Sequence, residues 1–235
     1  MRNEMVYALH KTGVYRVLDE CRDYAESLHS SRQHSFSQYG EDLFLQERFE
    51  GRKGLYIDIG GNHPIRGSNT YQLYRKGWGG LVVEPIERFY TKQRRVRPRD
   101  IQVNAAVGSS AGELTFYEMI PSVLSTCDAD VAKEVLSMGR GRLLREYSVR
   151  VATVAELYRT HMAPRPISLL CIDTEGHDLA VLQGVDWTTV HPEIVICEAN
   201  EMDQEREISR FLALYGYHCL KSLGGSLIFA LPKQA

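Results

Sequence analysis

The chain has 235 residues, 43% of them hydrophobic and 25% charged, with a formal net charge of −2. That length suits one large domain or two small ones, and so weak a net charge excludes a general nucleic-acid or membrane-surface binder, leaving local basic stretches to be read on their own. No apolar run approaches the roughly 20 residues of a membrane helix, and Met1-Arg2-Asn3-Glu4 leads into polar sequence instead of a signal-peptide core, so the expected location is cytoplasmic.

In chain order, Leu9, Val14, Leu18, Cys21, Tyr24 and Leu28 recur at helical spacing. They predict an N-terminal helical extension over residues 1–35, suited to forming a homodimer, lidding a site or packing on the core. The domain proper, 36–235, opens with a short helix around Asp42 to Phe49. Apolar runs at 55–59, 81–83, 103–107, 169–172 and 194–197 then read as buried strands. Amphipathic stretches at 69–76, 86–96, 151–162 and 178–185 read as helices between them, a rhythm that predicts an open, mostly parallel sheet covered on both faces. Residues 114–117, after a turn-rich break, suggest an added strand. Residues 120–147 are the least regular part and read as an insertion over the ligand end of the sheet. Residues 217–220 and 227–231, joined through Gly224-Gly225, predict a closing hairpin with an antiparallel last strand. The cysteines, Cys21, Cys127, Cys171, Cys197 and Cys219, form no C-x-x-C pair. They support neither a disulfide framework nor a zinc site, and Cys171 and Cys197 read as buried thiols.

The chemistry-bearing residues fall at strand ends. Gly60-Gly61 follows the first strand, where an open α/β sheet binds ligands and where glycine lets backbone approach closely. Gly60 to Gly67 does not match the dinucleotide pattern G-x-G-x-x-G, which weakens a pyrophosphate cradle. Asp58 and Asn62 flank the glycines and suit an amino-acid ammonium group. Glu84, about 24 positions beyond Gly60 at the end of the second strand, stands where a carboxylate meets a ribose diol. Asn104-Ala105-Ala106-Val107 offers small side chains around a flat base and an amide for its edge. Asp173 and Glu175 follow the fourth strand, with Gly176-His177-Asp178 opening a helix, and Glu198, Asn200 and Glu201 follow the fifth. Asp173, Glu198 and Asn200 would converge as an all-oxygen set suited to Mg²⁺.

Taken together, Ser37-Gln38-Tyr39-Gly40-Glu41-Asp42, Tyr56-Ile57-Asp58-Ile59-Gly60-Gly61-Asn62, Ser68-Asn69-Thr70, Val83-Glu84-Pro85, Asn104-Ala105-Ala106-Val107 and Ile172-Asp173-Thr174-Glu175-Gly176 resemble the FkbM family of methyltransferases over about residues 36–200. The resemblance implies a Rossmann-like class I fold with a seven-stranded sheet and S-adenosylmethionine as methyl donor. It also implies O-methylation of a hydroxyl on a sugar, glycan or glycosylated natural product, the acceptor being free or linked to a nucleotide or lipid. Asp58, Gly60, Gly61, Asn62, Ser68, Glu84, Pro85, Asn104, Ala105, Ala106 and Asp173 are the cofactor-binding candidates. The acid set looks like the metal site of catechol-type and sugar O-methyltransferases.

Alignment of acceptor and methyl can supply roughly 7–11 kcal/mol of such a reaction, and a base that takes the hydroxyl proton perhaps 10²–10⁴-fold more. Asp173, His177 and Glu175 are the candidate bases, in that order. Plainer roles stand beside them: Glu175 as a helix-capping acid, His177 as a first-turn residue, His63 as a structural loop residue. Lys92, Arg94, Arg95, Arg97 and Arg99 read as a solvated helix face, and Arg140, Arg142 and Arg145 as a clamp for an acidic acceptor group. The rival readings are a nicotinamide-dependent oxidoreductase and a non-catalytic Rossmann-like assembly module.

Overall fold

The computed structural model describes residues 35–199 and 201–232. The extension expected over 1–35, with Cys21, therefore lies outside the described residues except for Ser35, and so does Asn200. The described elements are α1 (Glu41–Arg48), β1 (Leu55–Ile59), α2 (Tyr71–Arg75), β2 (Gly79–Val83), α3 (Glu87–Val96), β3 (Ile101–Val103), β4 (Ala106–Val107), β5 (Gly112–Ile120), a 3-10 turn (Ser122–Leu124), α4 (Ala129–Ser137), β6 (Arg142–Ala152), α5 (Val154–His161), β7 (Leu169–Ile172), α6 (Asp178–Gln183), β8 (Ile194–Glu198), α7 (Met202–Ala213), β9 (His218–Leu223) and β10 (Ser226–Ala230).

Seven strands form the main sheet in the order β3-β2-β1-β7-β8-β10-β9. β3 to β8 in that order are parallel, and β10 runs antiparallel to both β8 and β9. The chain moves outward from β1 to β3, then returns to place β7 on the other flank of β1. That reversal opens a crevice at the carboxyl ends of β1 and β7, the position where open α/β sheets take ligands. The expected Rossmann-like sheet with an antiparallel final strand is what the chain forms.

Both faces of the central strands are apolar because helices cover both. Ile57, Ile59, Leu170, Ile172, Val195 and Cys197 point into one core, whereas Tyr56, Leu169, Cys171, Ile194 and Ile196 point into the other. Cys171 and Cys197 are buried as read.

A second sheet, β4-β6-β5, stands on the ligand side. Its long β5–β6 hairpin packs Phe116, Val149 and Val151 against Ile86 and Phe89 at the start of α3. The irregular stretch at 120–147 is the turn end of this hairpin, including α4. The strand expected over 103–107 is split between the two sheets. Asn104 causes the break: its Nδ2 donates to the carbonyls of Glu84 and Pro85 at 2.8 and 3.0 Å. The helix expected from 151 starts at Val154, because Thr153 caps it by accepting from the Glu156 amide at 3.1 Å. Among the described residues no helix is long and apolar enough to cross a membrane.

Candidate active site

A cavity of about 900 Å³ lies at the crevice, between the carboxyl ends of the main sheet and the hairpin. Its size is at the upper end for small-molecule pockets, roughly 300–1,000 Å³. The walls include Asp58, Gly60, Gly61, Asn62, Ser68, Glu84, Pro85, Ala105, Ala106, Asp173, Glu175, His177 and Glu198. Of the described cofactor-binding, catalytic and metal candidates only Asn104 stands outside the wall; its amide braces the turn between β3 and β4.

The glycine loop is fixed by its own neighbours. Gly60 and Gly61 both donate to the Val83 carbonyl, at 3.0 and 3.1 Å. Gly60 has φ 82°, and a Cβ there would sit 1.8 Å from the Asp173 carbonyl oxygen. The glycine is therefore required by the approach of β1 to β7, a cause beyond room for a ligand. At Gly61 a Cβ would meet Val82 at 2.3 Å. Gln93 Nε2 completes the brace by donating to the Gly61 carbonyl at 2.8 Å.

Glu84 is buried, with Oε2 accepting from the Asn62 amide at 2.6 Å and Oε1 from the Ile86 amide at 2.7 Å. Burial pushes its carboxyl up to about 7, against the pull of those two amides and of Arg88. Each oxygen keeps a further lone pair, so the group can still accept from both hydroxyls of a diol.

Asp58 lines the cavity and is also tied into the layer beneath the loop. Its Oδ2 accepts from the Thr70 hydroxyl and lies 3.8 Å from Arg97. Arg97 is fully buried and not part of a solvated face. It donates to Asp100 at 2.8 Å, to the Tyr56 hydroxyl at 2.8 Å and to Thr70 at 2.9 Å. Asp58 is thus first a member of a buried ion network below the loop, and only one edge of it reaches the cavity. Ser68 serves the same framework, accepting from the Tyr71 amide at 3.1 Å.

Across the cavity, the carboxylates of Asp173, Glu175 and Glu198 lie within 4.8 Å of one another. Burial and repulsion from Glu198, Glu175 and Asp178 hold Asp173 well above the usual carboxylate range. Burial and the same neighbouring acids push Glu175 up to about 8, Arg140 opposing. Asp178 ties the set together by accepting from the Thr174 hydroxyl at 2.7 Å and the Glu198 amide at 2.8 Å. His177, not Glu175, is the N-cap residue of α6, and Glu175 sits at φ 53° with its carboxylate among the acids. A non-glycine residue in that region is held there by its surroundings, and such strain clusters at active sites and ligand clamps.

His63 Nδ1 accepts from the amides of Ile65 and Arg66 at 3.1 and 3.0 Å, which leaves the ring hydrogen on Nε2 and makes the residue an organiser of its loop. The expected arginine clamp is absent from the wall. Arg145 is bound to Glu118 at 2.6 Å, and Arg140 and Arg142 also lie outside. Arg66 and Arg88 supply the guanidinium groups of the wall instead. Gln38 and Tyr39 line it too. The signal for them in the sequence was their place in the block Ser37 to Asp42 that shares in the family resemblance, which did not mark either as a wall residue.

The family described as "Methyltransferase FkbM domain" matches residues 58–219. No curated protein matches the chain. Among solved structures, a TehB-like SAM-dependent methyltransferase from Corynebacterium glutamicum is 9% identical over 91% of this chain and 99% of its own, with a TM-score of 0.43. An O-methyltransferase from Bacillus cereus, solved with SAH, is 14% identical over 89% and 90%, with a TM-score of 0.41. A 1,6-didemethyltoxoflavin-N1-methyltransferase from Burkholderia thailandensis, with 1,6-didemethyltoxoflavin and S-adenosylhomocysteine bound, is 11% identical over 89% and 88%, with a TM-score of 0.42.

Proposed function

The chain belongs to the FkbM methyltransferase family, and from that premise we propose that it transfers the methyl group of S-adenosylmethionine to a hydroxyl of a sugar, glycan or glycosylated natural product. The observation that carries the choice of a hydroxyl acceptor is the carboxylate set of Asp173, Glu175 and Glu198 at the cavity end away from Glu84. A neutral alcohol needs its proton removed as it attacks, and a carboxylate whose pKa is raised by burial and neighbouring acids is, once ionised, a stronger base for that task.

S-adenosylmethionine supplies an electrophilic methyl group on a sulfonium. Glu84 is placed to accept from its ribose hydroxyls, and Ala105 and Ala106 leave space beside Ile86 for its base. The Gly60-Gly61 backbone sets how near the amino-acid part comes to β7. Asp173 takes the acceptor's proton as the new O–C bond forms and the methyl–sulfur bond breaks, the sulfur leaving as a neutral thioether, with Glu175 and His177 beside it. The same three carboxylates are an all-oxygen donor set suited to a hard divalent cation such as Mg²⁺, which they would hold to lower the hydroxyl pKa.

The test is Asp173→Asn, assayed with S-adenosylmethionine and a panel of sugars and nucleotide sugars. Turnover should fall by about 10²-fold or more while S-adenosylmethionine still binds; retained turnover removes Asp173 from the reaction. Exhaustive EDTA treatment separates the two roles of the cluster. Activity that falls and returns with Mg²⁺ assigns a cation to it, and activity that persists assigns it to proton transfer alone.

A further inference from the structure

The geometry points to Tyr39 as a stacking platform for the acceptor, and to a pyranose as the ring that stacks there. This rests on the reading that a carbohydrate hydroxyl is methylated and names the group that recognises the sugar.

Tyr39 combines two properties that rarely coincide: its side chain is exposed, at 46% accessibility, and it is immobilised. A Cβ on Gly224 would lie 2.4–2.5 Å from Cγ, Cδ1 and Cδ2 of the ring, almost equidistant, so the glycine backbone is seated under the ring's face. The hydroxyl accepts from Gln38 Nε2 at 2.7 Å. The backbone amide donates to Glu41 Oε2 at 2.8 Å, and the buried Glu41 is itself anchored by the Ser226 hydroxyl at 2.6 Å. With one face on Gly224 and the ring in the cavity wall, the opposite face is the surface offered to a ligand. Fixing an aromatic ring in advance removes the ordering cost from binding.

Its place in the sheet says which ligand it meets. Gly224 lies in the turn between β9 and β10, where the Ala199 amide donates to the Gly225 carbonyl at 2.8 Å and Ser226 is in register with Glu198. The ring therefore stands over the β8–β10 end of the cavity. Glu84 and the Ala105-Ala106 wall lie on the other flank, after β2 and at the start of β4. Two strand spacings, roughly 10 Å, separate the platform from the strand that carries Asp173, which leaves room for one ring between them.

The chemistry of the surroundings selects the kind of ring. An aromatic face is electron-rich and attracts polarised C–H groups, while the neighbouring carboxylates of Glu198, Glu175 and Asp173 are acceptors for hydroxyl donors. A pyranose presents both: a C–H face and a periphery of hydroxyls. A flat aromatic acceptor would satisfy the ring and leave most of the carboxylates without donors.

The test uses the full chain saturated with S-adenosylhomocysteine and ligand-observed NMR with methyl α-D-glucopyranoside, methyl α-L-rhamnopyranoside and catechol as probes. At least one pyranoside should bind, with saturation concentrated on the protons of one ring face. Tyr39→Ala should weaken that binding about tenfold, by analogy with the loss of one ring-stacking partner, with the S-adenosylhomocysteine affinity unchanged as the control for folding. Tyr39→Phe, which keeps the ring and loses the Gln38 bond, should recover most of what Tyr39→Ala loses. A pyranoside that binds Tyr39→Ala as tightly as the wild type overturns the platform and leaves the carbohydrate reading standing. A wild-type chain that binds catechol alone, or none of the probes, overturns the pyranose assignment and that reading with it.

Discussion

At Glu84 burial and hydrogen bonding oppose each other, and burial prevails: the carboxyl is pushed up to about 7 although two amides favour its charged form. In the proposed role the charged form accepts from both ribose hydroxyls, whereas the neutral form spends one oxygen on its own proton. Ribose binding therefore draws the carboxyl's pKa below its value in the unliganded protein, and linkage gives the sign. S-adenosylmethionine affinity should be level above about pH 7 and fall as pH drops through it, by at most about tenfold per pH unit. Calorimetric affinities between about pH 6 and 8 check this, and Glu84→Gln should bind more weakly and lose the slope in that window. Gly60 carries a different prediction. With φ at 82° and a Cβ 1.8 Å from a backbone oxygen, Gly60→Ala has no flexible neighbour to displace. It should cost about 3 kcal/mol or more in urea unfolding, or prevent folding. Spacing from Gly60 located Glu84 in the sequence. Asn104 could not be assigned in that way, because an amide takes whichever carbonyls lie in reach, and those belong to Glu84 and Pro85, some twenty residues earlier.

At the scale of elements, the strands were legible wherever both faces are buried, as in Leu169-Leu170-Cys171-Ile172, since a continuous short apolar run has few other uses. The basic stretch on α3 was not. Lys92, Arg94, Arg95, Arg97 and Arg99 are one sequence feature with several destinations: Arg97 turns inward just past the helix end, and Arg99 lies over the Tyr74 ring at 3.8 Å. Periodicity cannot show this, because the partners of Arg97 come from β1 (Tyr56, Asp58), the loop before α2 (Ser68, Thr70) and the turn before β3 (Asp100). The network locks the glycine loop to the layer beneath it. Arg97→Met should leave Asp58 and Asp100 as buried acids without a cation, destabilising the chain by about 3–5 kcal/mol in urea unfolding. Adding Asp100→Asn should recover part of that loss, since the two positions share one network. A strictly additive pair would deny the coupling.

Over the whole molecule, a buried acid pins the second sheet to α3, beside their apolar contact. Glu118 on β5 is 1% exposed, and its carboxylate holds Arg88 of α3 at 3.1 Å and Arg145 of β6 at 2.6 Å. Reading 120–147 as an insertion gave no hint of how the hairpin is attached, because Arg88, Glu118 and Arg145 are distant in sequence and individually ordinary. The attachment also reaches the cofactor side. Arg88 lowers the Glu84 pKa and Glu118 raises it, so the charge that fixes the hairpin also tunes the group proposed to meet the ribose. Glu118→Gln should therefore have two effects with one origin. Amides of β5 and β6 should exchange faster, by an opening free energy reduced by roughly 1.5–3 kcal/mol, the worth of hydrogen bonds to a charged group. The pH midpoint of S-adenosylmethionine affinity should move down from about 7, because the repelling acid is gone and Arg88 is left to favour the Glu84 carboxylate. Faster exchange with an unmoved midpoint would make the ion pair a mechanical latch only; both changes together make the second sheet part of the cofactor site.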